Sequence, residues 1–287
     1  MTDEENVRFE KWQALGNDYV ILEAESLPWG LSAERVKRIC DPHFGVGSDG
    51  VLLLRRLDGG EAVAELRIFN PDGSEAELSG NGARQAALYM HRHGWTDAES
   101  FSIETAAGRV TPTITSPRTA TMAIGRASTT SDDFPSGPED GRGTLGAVGR
   151  EWDFQHVSIG NPQCAIEVAD GLEELDLDEI GPQIEHHDLF PNRTHVSFFR
   201  VDGGRVRARI FERGVGETLS SGTGASGAAV AAHLGGAPNS ITVMLDGGEL
   251  EVEISGELGV QLSGWAEPVC AGELSAELLR ALEKGLP

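Results

Sequence analysis

Lysine is nearly missing from this 287-residue sequence: it occurs only at Lys11, Lys37 and Lys284, and no arginine-rich stretch offsets a formal charge of −23. A chain of that sign repels phosphate backbones and anionic lipid surfaces, so sequence-independent binding to nucleic acid or membrane is not expected. The excess of Asp and Glu reads as a solvated acidic surface. Cysteine is also scarce. Cys40, Cys164 and Cys270 are odd in number, far apart and without metal-ligand neighbours at close spacing. That spacing supports neither a disulfide framework nor a zinc site and fits a reduced cytoplasm. Long apolar runs are absent too, none approaching the ~20 residues a membrane helix needs. The start, Met1-Thr2-Asp3-Glu4-Glu5-Asn6, is acidic where a signal peptide would be basic and then apolar.

Glycine, by contrast, is plentiful: 37 Gly with 13 Pro and 39% hydrophobic residues describe a turn-rich, β-rich chain able to build two domains around sizeable cores. Alternation or short β-branched runs predict strands at 7–13, 19–23, 51–57 and 64–70, with a helix at 32–40 between them. A helix over 83–93 and a meander of 101–105, 109–115 and 119–126 follow, and 127–142, rich in Ser, Asp, Gly and Pro, reads as a loop or linker. The second half repeats the plan. Strands at 152–159 and 164–168 lead to a helix at 175–186. A hairpin of 195–201 and 206–212 around Asp202-Gly203-Gly204 comes next, then a helix at 225–234. A second hairpin, 241–245 and 249–254, surrounds another Asp-Gly-Gly at 246–248, and an amphipathic helix over 275–284 closes the chain. The helix from Ala225 to Ala232 is almost wholly Ala, Gly and Ser with one Val, a composition that requires enclosure, here by strands.

Ahead of the two central helices the chain repeats itself. Ser79-Gly80-Asn81-Gly82-Ala83-Arg84-Gln85-Ala86-Ala87 recurs as Ser221-Gly222-Thr223-Gly224-Ala225-Ser226-Gly227-Ala228-Ala229. Each copy sets a hydroxyl and a Gly-x-Gly turn before a run of small residues, so backbone N–H groups at two helix N-termini are candidates to hold an anion. Read structurally, the glycines permit close helix–sheet packing and the serines are N-caps.

Four stretches now matter together: Leu15-Gly16-Asn17-Asp18-Tyr19; Asn70-Pro71-Asp72-Gly73-Ser74 leading to Ser79-Gly80-Asn81-Gly82-Ala83-Arg84; Gly160-Asn161-Pro162-Gln163-Cys164; and Glu212-Arg213-Gly214 leading to Ser221-Gly222-Thr223-Gly224. In this order, across the whole chain, they resemble the diaminopimelate epimerase family. The resemblance implies an α/β (α+β) fold of two pseudo-symmetric halves, each a mostly antiparallel sheet wrapped around a central helix, with substrate in the cleft between. The halves would be 1–126, completed by 266–287, and 127–265. It also implies a cofactor-independent, metal-free amino-acid epimerase, a cytoplasmic homodimer serving lysine and cell-wall precursor synthesis, with a diaminopimelate-like small molecule as its substrate.

By match to the family pattern, backbone N–H groups of Gly80, Asn81, Gly222 and Thr223 hold the α-carboxylate, and Asn17, Asn70, Asn161, Glu212 and Arg213 meet the distal end. A carboxylate at helix N-termini is stabilised as the α-carbon loses its proton, and an arginine fork suits a second carboxylate. Taken singly, Arg213 also fits an ion pair with Glu212, and Asn17 or Asn70 a turn cap. The chain departs from the family at its two proton-transferring cysteines, replaced here by Ser79 and Ser221. Gln163 stands where a supporting histidine is usual, and His195 where the distal pocket has an asparagine. A thiol with a reference pKa of about 8.5 can be tuned into a base near neutrality, whereas a serine hydroxyl needs a neighbouring base. For Ser221 that helper is Glu212. For Ser79 the nearest candidate in sequence is Glu77, and His195 is either a substitute base or a hydrogen-bonding replacement. Three readings follow: a diaminopimelate epimerase working through serines; a dehydratase or isomerase of a hydroxylated amino acid on the same fold; or a ligand-binding relative that lost its bases.

Overall fold

The computed structural model describes Asn6 to Lys284; most of the acidic start (residues 1–5) and residues 285–287 lie outside the described part. The chain divides into two compact units, one of residues 1–122 with 265–287, the other of residues 123–264.

The first unit opens with strands β1 (Arg8–Ala14) and β2 (Asn17–Glu23), helix α1 (Ala33–Cys40), and strands β3 (Val51–Arg56), β4 (Ala62–Phe69) and β5 (Glu75–Ala76). Helix α2 (Gly80–Arg92) follows, then β6 (Ser102–Thr105), β7 (Gly108–Val110) and β8 (Thr113–Ser116), and β9 (Thr119–Arg126) carries the chain from the first unit into the second. The second unit holds β10 (Arg142–Ala147), β11 (Arg150–Ser158), β12 (Pro162–Glu167), α3 (Leu177–Glu185), β13 (His195–Asp202), β14 (Arg205–Glu212) and β15 (Gly216–Thr218). It continues through α4 (Gly222–Leu234), β16 (Ser240–Leu245), β17 (Gly248–Ser255) and β18 (Gly259–Trp265). The chain returns to the first unit with β19 (Glu267–Glu273) and α5 (Ala276–Lys284).

The two sheets share the plan of their central strands. In the first the order is β19-β1-β2-β3-β4-β6-β7 with β5 beside β4; in the second it is β10-β11-β12-β13-β14-β16-β17-β18 with β15 beside β14, and this larger sheet runs on past β18 through β9 and β8. Parallel pairs fall at matching places, β2 with β3 and β4 with β6 against β12 with β13 and β14 with β16. The remaining neighbours named in the two orders run antiparallel.

Strand alternation decides what each face of a sheet meets. In the first unit Val20, Leu22, Val51 and Leu53 join Val36 and Ile39 of α1 and Leu282 of α5 in one cluster. The alternate residues Tyr19, Ile21, Leu52 and Leu54 are buried on the other face, toward α2, where a Cβ at Gly82 would lie 3.1 Å from Leu52 Cδ2. In the second unit Cys164, Ile166, Val196 and Phe198 pack with Leu177, Ile180 and Ile184 of α3. Gln163, on the opposite face, packs against α4, where a Cβ at Gly227 would sit 2.8 Å from its Cγ. Glycine is therefore required at 224 and 227, where a Cβ would fall 2.7 Å from Ile210 and 2.8 Å from Gln163. Each large apolar side chain buried this way stabilises its unit by roughly 1.5–3 kcal/mol.

Several sequence expectations need adjusting. Both central helices begin three residues earlier than predicted, at Gly80 and Gly222 rather than at Ala83 and Ala225. Their glycines thus lie inside the first turn, where the leading N–H groups have no intrahelical acceptor and poor helix formers cost least. The strand predicted over 109–115 splits into β7 and β8 around Pro112, which has no N–H for a ladder. Strands β10, β18 and β19 were not foreseen; β10 carries two glycines and β19 a proline and a glycine, which mask their pattern.

Candidate active site

Each central helix starts from a serine in extended conformation. Ser79 (φ −132°, ψ 121°) accepts the Gly82 N–H at 3.0 Å, and Ser221 (φ −136°, ψ 121°) accepts the Gly224 N–H at 3.2 Å. Both serines are N-caps, a role worth ~1 kcal/mol each. The cap also aims the leading amides of each helix outward, with the positive end of the helix dipole behind them.

In the first unit a tight hairpin delivers Asn17. Ala14 pairs with Asn17, so the turn is Leu15-Gly16, and both residues take positive φ, 53° and 85°. A buried leucine rarely adopts that conformation, and here it starts β2 at Asn17. Asn17 Oδ1 accepts from Asn81 Nδ2 at 3.3 Å, its Nδ2 donates to Asp49 at 3.1 Å, and its backbone carbonyl accepts from Gln85 at 3.0 Å. Beneath Asn81 lies Arg84, wholly buried, whose Nη2 donates to Asn81 Oδ1. Among the described residues no hydrogen-bond partner meets its Nε or Nη1, and burial pushes its guanidinium down to about 10. It is still a cation at neutral pH, and it adds positive charge under the start of α2.

Glu77 departs from its sequence expectation, while Asn70 takes the turn-cap place named for it. Glu77 lies past the end of β5 and is exposed, so strand alternation does not carry it to Ser79. Tyr19 meets Ser79 instead, its hydroxyl donating to Ser79 Oγ at 3.3 Å. Asn70 closes its own turn, Nδ2 donating to Ser74 Oγ at 2.9 Å while its carbonyl accepts from Gly73.

The second unit repeats the arrangement with different chemistry. Asn161, just ahead of β12 as Asn17 is at the start of β2, donates to Thr223 Oγ1 at 3.2 Å and accepts from Gln163 Nε2 at 2.7 Å. Ser221 Oγ donates to Glu212 Oε2 at 3.0 Å, and Thr218 Oγ1 donates to Glu212 Oε1 at 2.9 Å. Burial pushes the Glu212 carboxyl above its ordinary range, and the two hydroxyl donors offset part of that rise. A raised carboxyl one hydrogen bond from a hydroxyl is a better proton acceptor than an exposed one.

His195 is buried, and its Nδ1 accepts the Arg213 backbone N–H at 3.3 Å. Burial, then the Arg213 charge, depress its imidazole to about 4, so it is neutral at physiological pH. Its 4.0 Å approach to Glu212 is therefore a contact between a neutral ring and a carboxyl, not an ion pair. That environment fits the hydrogen-bonding replacement better than the substitute base. Arg213 Nη1 donates to the Asn192 carbonyl at 3.0 Å, so its partner is not the neighbouring Glu212.

The sequence groups Gly80, Asn81, Gly222 and Thr223 around an α-carboxylate and Asn17, Asn70, Asn161, His195, Glu212 and Arg213 around a distal end; the structure bonds Asn17 to Asn81 in the first unit and, in the second, Asn161 to Thr223, Ser221 to Glu212 and Arg213 to His195. The sequence reading missed Tyr19, Arg84, Gln85 and Thr218. One signal for Tyr19 was available: it follows Asn17 by two residues, as Gln163 follows Asn161. All three cysteines are free thiols; Cys40 and Cys164 are buried, with thiols pushed up by burial, and Cys270 is exposed.

This doubled sheet-and-helix plan is the fold of a known group of enzymes and their relatives. The chain is similar to a phenazine biosynthesis protein of the PhzF family from Bacillus anthracis (TM-score 0.66, 19% identity, covering 94% of this chain and 99% of that one). It is also similar to a hydroxyproline epimerase from Agrobacterium vitis (TM-score 0.63, 17% identity, 96% and 94% covered). Sequence narrows the class. The diaminopimelate epimerase profile matches residues 9–130 and 155–264. Diaminopimelate epimerase 2 of Nostoc sp. is 39% identical over 278 residues, covering 95% of this chain and 97% of its own, and a Synechococcus sp. diaminopimelate epimerase is 40% identical over 277 residues, covering 92% and 96%. The chain belongs to the diaminopimelate epimerase family.

Proposed function

We propose that this protein interconverts LL- and meso-diaminopimelate without a cofactor, removing the α-proton and returning one to the opposite face. The observation that carries the proposal is family membership along nearly the whole chain, at 39% identity over 95% of it. In this reading the amides of Gly80, Asn81, Gly222 and Thr223 hold the α-carboxylate, and positive charge at the helix starts stabilises the carbanion-like transition state. Asn17, Asn70, Asn161, His195 and Arg213 receive the distal amino-acid end. Ser79 and Ser221 are the proton-transferring groups: as Ser221 Oγ takes the α-proton, its own passes to Glu212. The expected setting is lysine and cell-wall precursor synthesis in the cytoplasm, by a homodimer that sedimentation equilibrium would detect. No helix among the described residues is long and apolar enough to cross a membrane.

The two serines keep a second reading in view, dehydration or isomerisation of a hydroxylated amino acid. Incubation of the purified protein with LL-diaminopimelate in deuterated water separates the readings. Inversion with α-deuterium wash-in is the expected result. An unsaturated or keto product would identify the dehydratase, and saturable binding without exchange would sink both enzymatic readings.

A further inference from the structure

Among the described residues no carboxylate is hydrogen-bonded to Ser79 as Glu212 is to Ser221, yet the Ser79 hydroxyl is not isolated. It accepts two hydrogen bonds, from Gly82 N–H at 3.0 Å and from the Tyr19 hydroxyl at 3.3 Å. With both lone pairs engaged, the Ser79 hydroxyl hydrogen is left to donate outward. The Tyr19 ring cannot move far. It is 6% exposed, and its edge packs on Gly50, where a Cβ would lie 2.7 Å from Tyr19 Cε1.

Resting on the epimerase reading above, we propose that Tyr19 is the proton partner of Ser79, acting through it as Glu212 acts through Ser221. The step balances. When a proton is delivered, Ser79 gives its hydroxyl hydrogen to the α-carbon and takes the phenolic proton of Tyr19, leaving a phenolate. In the reverse direction the phenolate takes the Ser79 proton as Ser79 Oγ takes the α-proton. A phenol, with an ordinary pKa near 10, is a far stronger acid than a serine hydroxyl and belongs to the small set of side chains used for general acid–base work. The charge left behind is offset locally, since Ser79 caps the positive end of α2 and the buried Arg84 cation sits in the helix's first turns. Tyr19 does not touch the reacting atoms in this scheme, so it is a positioning and relay residue rather than a catalytic one.

The test is Tyr19→Phe in the full chain, which keeps the ring and removes the hydroxyl. Inversion and α-deuterium incorporation are followed in deuterated water from each epimer of diaminopimelate. Inversion should fall by roughly 100-fold or more in kcat with KM within about twofold. Exchange should survive from the one epimer whose α-proton Ser221 and Glu212 remove and return. In a Ser79→Cys background, where a thiol needs no phenol, Tyr19→Phe should change inversion by less than about threefold. Tyr19→Phe inverting within twofold of the unaltered protein overturns the inference. So does an equal loss of exchange from both epimers with raised KM, which would mark a packing role. If the unaltered protein neither exchanges nor inverts, the epimerase reading fails and takes this inference with it; normal turnover with an indifferent Tyr19→Phe overturns this inference alone.

Discussion

The starts of α2 and α4 are the same device built from different chemistry. Both are capped by a serine, both have a polar second residue bonded to an asparagine at or just before the start of a strand, and both lie against sheets whose central strands follow one plan. Below the cap they part. Where α2 has Arg84 and Gln85, α4 has Ser226 and Gly227; where Ser79 meets the phenol of Tyr19, Ser221 meets the carboxyl of Glu212. The backbone scaffold is thus independent of the proton chemistry mounted on it: caps and small first-turn residues build the anion-facing helix start, and one side chain beside each serine sets what it can do.

The most severe way to break the comparison is to remove the carboxylate from the side that has one. Glu212→Gln keeps the shape and a hydrogen-bonding partner for Ser221 and Thr218 but cannot accept a proton, so α-proton exchange should fall by about 10²–10⁴. Deuterium wash-in measured by mass spectrometry checks this, and a loss under tenfold would mean that Glu212 is not the base serving Ser221.

Packing provides the next contrast. A Cβ at Gly224 would lie 2.7 Å from Ile210 Cγ2, whereas at Gly82 the nearest atom is the flexible end of Leu52 at 3.1 Å. Gly224→Ala should therefore cost about 1–3 kcal/mol and Gly82→Ala markedly less, since Leu52 Cδ2 can yield. Urea unfolding of the two variants decides; equal costs would show that the helices are equally tight against their sheets.

Acid should expose a further difference, because the second unit holds a buried neutral imidazole. His195 is depressed to about 4 in the folded protein against an ordinary value near 6.5. The unfolded chain takes up that proton first, so the stability tied to neutral His195 is complete above pH 6.5 and is lost as pH falls toward 4. Between pH 7 and 5 the loss amounts to about 2 kcal/mol. Glu212, raised by burial, works in the opposite sense, its folded form binding a proton before the unfolded one does. His195→Asn should flatten this part of the pH–stability curve, as read by thermal melts across the range; an unchanged curve would count against a buried neutral histidine.

Much of this was legible in the sequence for a physical reason: the repeated Ser-Gly-x-Gly-Ala and the alternation of the central strands are local signals, and both central helices and the main strand ladders follow from them. The earlier helix starts were not read because glycine suggests a turn, although the first helical turn tolerates it. β10, β18 and β19 hide because glycine and proline interrupt their alternation. The Glu212 partnership with Ser221 was anticipated because the family pattern carries it. The Tyr19 partnership was not, because Tyr19 and Ser79 are 60 residues apart and meet only once β2 is laid beneath α2. Arg84 was passed over because an arginine in a polar-looking segment suggests a surface, while the fold buries it completely.

The finest division between the two halves comes from giving each its own thiol. A cysteine near its reference pKa of about 8.5 supplies a base without help, so the gain from introducing one should be larger where the serine's present partner is the weaker base. Glu212 already provides a carboxylate that accepts from Ser221, whereas the Tyr19 phenol donates to Ser79 Oγ rather than accepting from it. Ser79→Cys should then raise inversion by about tenfold, and Ser221→Cys by less, while both lose part of the ~1 kcal/mol cap because sulfur is a weaker acceptor for the Gly82 and Gly224 N–H groups. Rates for each single variant and for the pair, followed from both epimers, test this ordering. If Ser221→Cys gained more, Glu212 would be the less effective partner, and the proton chemistry of the two halves would be the reverse of what their hydrogen bonds indicate.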